Sequence, residues 1–162
     1  MIAANERAEQ TRHASRRVII VGVDGSAEAE AAAQWAVREA ELQKDAVLLI
    51  HAYDVPILPP RGIADGLAHG RQEGQALLDK VARTLALPPT MHLHQLIETD
   101  TPESLLPRLS ERAELTVLGH DHPALTIHMP FGHTPSTVAS ASRHPVVAVP
   151  RGWPQRADDR RR

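Results

Sequence analysis

Histidine carries the widest range of possible chemistry in this chain. Ten are present, and His120, His122, His128 and His133 lie in or beside one stretch, with Asp121 between the first two. Neutral imidazoles bind zinc, copper or nickel, and a carboxylate can complete such a set. Protonated, the same rings would hold anionic phosphates or respond to pH near about 6.5. No metal-motif spacing organises them, so solvated loop histidines are the plainer reading and no metal ligand is assigned. The second chemical point is Val23-Asp24-Gly25-Ser26, which sets a carboxylate at the end of an apolar run. Asp24 there is either a ligand acceptor or a turn residue bonding the backbone, and Ser26 is a helix cap before it is a ligand.

Other chemistries lack their residues. With no cysteine, thiolate metal sites and disulfides are excluded. Neither G-x-G-x-x-G nor a P-loop is present, and no serine sits in a G-x-S-x-G elbow. An aspartyl-phosphate enzyme would need its nucleophile at position 22, which is Gly22. No general base stands near the expected ligand apart from the loop histidines, so no catalytic residue is assigned and the chain is read as a non-enzyme. A net charge of -2 supplies no basic field for nucleic acid. No run approaches the roughly 20 apolar residues of a membrane helix, and the first residues lack a signal-peptide core. The expected compartment is the cytoplasm.

The elements that must position Asp24 and the histidines can be read from periodicity. At 162 residues there is room for one domain, whose core must be Ala, Val, Leu and Ile because aromatics are only 2%. Polar ends at residues 1–16 and 152–162 read as flexible tails, leaving a domain over 17–151. Val18 to Val21 and Val23 form a β-branched run suited to a strand buried on both faces. After Ser26, alanines from Ala29 to Ala40 recur at helical spacing with Glu28 and Glu30 in the first turn. Ala46 to Ala52 predicts a second buried strand, and Asp65 to Leu87 a helix weakened by Gly70 and Gly74. Met91 to Glu98 alternates like an edge strand, with His92 and His94 on one side. Thr101-Pro102-Glu103 starts a third helix, which Pro107 should kink or shorten. Leu115 to Gly119, a loop to His133, a helix over Pro135 to Arg143 and a strand over Pro145 to Arg151 complete the chain. Strict βα alternation predicts an open, doubly wound parallel sheet with helices on both faces and its ligand crevice at the carboxyl ends of the strands.

Three segments, VGVDGSAEAEAAAQWAVREA, LTVLG followed by Gly132, and SRHPVVAVPR, together resemble the universal stress proteins, and the likeness runs in order through residues 17–151. The resemblance implies an α/β fold of the adenine nucleotide alpha hydrolase-like kind, with five strands in the order 3-2-1-4-5. It also implies a homodimer formed through the last strand, with a protein partner not named by the sequence. In ATP-binding members the fourth strand leads into G-x2-G-x9-G-[S/T], with another hydroxyl two residues later. Here Gly119 and Gly132 match at the preserved spacing, while His122 replaces the second glycine, His133 the Ser/Thr and Pro135 the last hydroxyl.

Each replacement removes something a phosphate needs: open backbone at His122, a compact hydroxyl at His133, and both hydroxyl and N–H at Pro135. Thr134 and Ser136 stand beside the lost positions. On the adenosine side the resemblance assigns Asp24 to ribose or adenine and Ala52 to the adenine pocket. The expected cofactor-binding set is therefore Asp24, Ala52, Gly119, His122, Gly132, His133 and Thr134. The expected function is a stress-response regulatory or binding module whose adenine-nucleotide site is degenerate, with ATP or AMP as ligand held weakly or not at all. The alternatives are a working ATP/AMP-binding stress protein and a metal-binding module built on the histidine loop.

Overall fold

The computed structural model describes residues 17–54, 63–120 and 133–153. Elements alternate as β1 (Val18–Gly22), α1 (Ala27–Gln43), β2 (Ala46–Tyr53), α2 (Ile63–Thr84), β3 (Leu93–Thr99), α3 (Pro102–Ser110), β4 (Leu115–His120), α4 (His133–Ala141) and β5 (Val146–Pro150). All four strand pairings are parallel and the sheet order is β3-β2-β1-β4-β5. The predicted doubly wound topology is what the chain adopts. The tail expected at 1–16 and residues 154–162 of the one expected at 152–162 lie outside the described residues, as does loop 121–132.

The continuous apolar run in β1 has a direct cause. Ile19 and Val21 belong to a core shared with α1 and α2, whereas Ile20 belongs to a second core with Leu105 and Leu106 of α3 and Val138 of α4. A strand between two helical layers needs apolar side chains on both faces. Burying each such side chain stabilises the fold by about 1.5–3 kcal/mol relative to exposure. On α1 the buried residues are mostly Ala, including Ala32, Ala33, Ala36 and Ala40, so the helix axis lies close to the sheet. Its start is capped by Ser26 Oγ, which accepts the Ala29 N–H at 3.1 Å, and it ends at Lys44 in the left-handed conformation, φ 60°.

Three local expectations are refined. Gly70 and Gly74 lie within α2, which runs unbroken through both, and they serve packing: a methyl at Gly70 would collide with the Tyr53 ring, and one at Gly74 would sit 2.7 Å from His51 Cδ2. Thr101 has N-cap backbone geometry but makes no side-chain cap bond; Asp100 before it accepts the Thr101 N–H at 2.8 Å and Arg108 at 3.1 Å instead. Pro107 does not kink a long helix; α3 has nine residues and ends three positions later, where the Ser110 hydroxyl bonds the Pro107 carbonyl at 2.6 Å. Past β5, Trp153 packs edge-on to Trp35 at 6.3 Å with Arg38 over its ring at 5.2 Å, so the packed body extends into the segment expected to be tail.

Candidate nucleotide crevice

Where β1 and β4 lie side by side, their following helices leave in opposite directions in the strand order, and a cavity of about 390 Å³ opens at the carboxyl ends. This is the switch point at which open α/β sheets bind ligands, and the volume suits a small organic molecule. One wall comes from β1 and its turn, through Gly22, Val23, Asp24 and Ser26. Strand alternation decides the wall from β2: Ile50 and Ala52 face the cavity while His51 faces α2. His51 nevertheless supports the site, because its Nδ1 lies 2.7 Å from the Val23 carbonyl. A carbonyl only accepts, so His51 carries a proton on Nδ1 and ties β2 to the backbone just before Asp24.

Asp24 is a turn residue in fact. Its Oδ1 accepts both the Ser26 N–H at 3.0 Å and the Ser26 hydroxyl at 2.6 Å. It also lines the cavity, so the turn and ligand readings are compatible: Oδ1 holds the corner and Oδ2 is left as an acceptor. Gly25 follows at φ +88°, a conformation that favours glycine.

Gly119 lines the cavity from β4, but its lack of a side chain has a nearer cause. A methyl there would lie 2.5 Å from the Glu28 carbonyl carbon and 2.6 Å from Ala29 N, both backbone atoms of the first turn of α1. The glycine lets helix and strand touch.

At the opposite wall stands the first turn of α4. His133, Thr134 and Pro135 all line the cavity, with His133 exposed and Pro135 buried. Thr134 Oγ1 donates to Glu103 Oε1 at 2.6 Å, which commits its hydroxyl proton to a carboxylate on α3. Ser136 does not line the cavity; its Oγ is buried and makes no hydrogen bond among the described residues. His122 and Gly132 lie outside the described residues, as do Asp121 and His128. His120 ends β4, 6% exposed. Among the described residues no group of three or more His, Asp or Glu is placed to hold a metal. His92 and His94 stack at 6.4 Å beside the far edge of the sheet, away from the cavity.

The sequence reading passed over two carboxylates. Glu28 lines the cavity with its side chain 7% exposed and pairs with the exposed Arg151, Nε to Oε1 2.6 Å. Glu103 binds Thr134 as described. Both read in sequence as ordinary first-turn acids complementing a helix dipole. No spacing signal distinguishes them, because each partner comes from a different element.

A parallel sheet of order 3-2-1-4-5 with a small-molecule crevice at its switch point defines an open, doubly wound α/β protein. Residues 15–150 match the universal stress protein family, and the chain belongs to that family. A universal stress protein of Mycobacterium tuberculosis (strain ATCC 25618 / H37Rv) is 30% identical over 138 residues, which are 85% of this chain and 46% of the relative. The chain thus spans about half the length of the curated relatives it matches. Among solved structures, a universal stress protein in complex with cAMP superposes with TM-score 0.60 and 21% identity, covering 82% of this chain and 96% of that one. A family protein from Arabidopsis thaliana with AMP bound gives TM-score 0.57 and 16% identity, covering 88% and 97%. At these identities the structural likeness establishes the fold.

Proposed function

We propose that this domain is a stress-response binding module that takes the adenosine part of an adenine nucleotide in the β1–β4 crevice and grips a triphosphate weakly or not at all. It acts by presenting its ligand state to a protein partner as a homodimer paired through β5, and carries no catalytic residue. The observation that carries this reading is the contrast between the two walls. The β1–β2 wall keeps an acceptor at Asp24 and a small residue at Ala52, while the α4 wall offers an imidazole, a hydroxyl already bound to Glu103, and a proline without N–H. Phosphate binding at a helix N-terminus depends on free N–H and hydroxyl donors there. The AMP and cAMP complexes of relatives support an adenine ligand in this crevice.

Isothermal titration of the full chain with AMP and with magnesium-ATP tests the reading. AMP is expected to bind at least as tightly as ATP. Micromolar magnesium-ATP binding clearly tighter than AMP would show an intact triphosphate grip, and absence of binding by AMP and, in a third titration, by adenosine would remove the adenosine pocket.

A further inference from the structure

We infer that Glu103 is a built-in anion at the phosphate end of the crevice, so that the pocket selects an uncharged adenine nucleoside over a nucleotide. This rests on the adenosine reading above and adds which ligand charge the site accepts.

The inference starts from where the carboxylate is held. Glu103 is the second residue of α3 and Thr134 the second residue of α4, and they are joined Oγ1 to Oε1 at 2.6 Å. That length falls in the range of a hydroxyl donating to an ionised carboxylate. Helix N-termini attract negative charge because their first N–H groups lack intrahelical partners. One carboxylate therefore sits in the first turn of one helix and is bonded to the first turn of another. Glu103 does not itself line the cavity but is bonded to a residue of its wall. Pro102 and Thr134, its chain neighbour and its bonded partner, both line the cavity.

Two consequences follow for an incoming phosphate. The Thr134 hydroxyl has a single proton, and Glu103 holds it. Its negative charge also lacks a cation: among the described residues no Lys or Arg pairs with Glu103, while Arg108 is bound to Asp100 at 3.1 Å and Arg151 to Glu28 at 2.6 Å. A phosphate placed beside an uncompensated carboxylate in a partly desolvated crevice is repelled. A neutral nucleoside meets no such cost, and its hydroxyl and amino groups can donate to Asp24. The Glu28 carboxylate, although closer to Gly119, is balanced by Arg151 and contributes less.

Titrations of the full chain with adenosine and with AMP, at low and at high salt, test this. The parent should bind adenosine more tightly than AMP by roughly tenfold, about 1.4 kcal/mol. Glu103→Gln, which keeps an acceptor for Thr134, should raise AMP affinity by about the same factor and leave adenosine within about twofold. Added salt should strengthen AMP binding to the parent by screening the repulsion, the reverse of an ordinary phosphate site, and leave the variant unmoved. Thr134→Val removes the hydroxyl and keeps the charge, so AMP should gain nothing from it. The inference is overturned if the parent binds AMP as well as adenosine, if Glu103→Gln shifts both ligands alike, or if Thr134→Val mimics it. In those cases adenosine binding itself would still stand, whereas a parent that binds neither ligand loses the pocket and this inference with it.

Discussion

At Asp24 one side chain serves two tasks that a conservative change can separate. Asp24→Asn retains an oxygen to accept from Ser26 N–H and hydroxyl, so thermal stability should change by less than about 0.5 kcal/mol. If Oδ2 receives the ligand, adenosine affinity should nonetheless fall by roughly tenfold, a loss of about 1.4 kcal/mol; unchanged affinity would leave Asp24 as a corner residue only. Gly119 is a different case, since what stands against its missing side chain is backbone that cannot rotate away. Gly119→Ala must push α1 from β4 and should cost about 1–3 kcal/mol in urea unfolding, with little expression of a folded product at the upper end. Gly152 also has positive φ, 82°, but nothing within 4 Å of a methyl, so its substitution meets backbone strain alone.

Among elements, the junction between α1 and β2 holds the one carboxyl, among the described residues, whose ionisation the fold clearly disturbs. Asp45 has its side chain 6% exposed, and burial raises its pKa above the ordinary carboxylate value although Arg17 at 3.5 Å pulls it down. A raised folded pKa means that the folded state prefers the proton. Its contribution to stability is complete below the unfolded pKa and is lost as pH rises through the folded one. Asp45→Asn should therefore melt higher than the parent at neutral pH, and the difference should shrink as pH falls toward about 4. A difference that grew toward acid would reverse the assignment and make the Arg17 pair the dominant effect. The same scale explains the α2 glycines. Their helix-propensity cost of about 1 kcal/mol each is accepted because β2 projects Tyr53 and His51 into that helix, and His51 in turn anchors the Asp24 corner.

For the whole molecule, the two sheet edges are unlike. β3 carries His94, Gln95, Glu98 and Thr99 exposed, a polar edge that discourages pairing. β5 presents Val146, Val147 and Ala148 half-buried at the other edge, which is the surface through which we propose that the chain pairs. Light scattering should give twice the mass of one chain, and amide exchange in β5 should quicken on dilution. A single-chain mass at every concentration would dismiss the β5 pairing without touching the crevice. Val147 itself packs against the core with Trp153, so a charge there tests folding more than assembly.

The order of elements, the burial of β1 on both faces, the Ser26 cap and the Ala face of α1 are all determined by the sequence alone. Each depends on neighbours within a few positions, where periodicity, caps and turn residues act. The replacements His133 and Pro135 at preserved spacing were legible too, and both residues line the crevice. What only tertiary structure decided are contacts made across crossovers. Glu103 reaches Thr134 thirty-one residues on, Glu28 meets Arg151, and the first turn of α1 lies on Gly119. No local pattern encodes these, because a first-turn acid has the same local signature whether it faces water or a neighbouring helix. The sheet order brings α3 and α4 together on one face, and with them the Glu103 carboxylate to the Thr134 hydroxyl on the crevice wall.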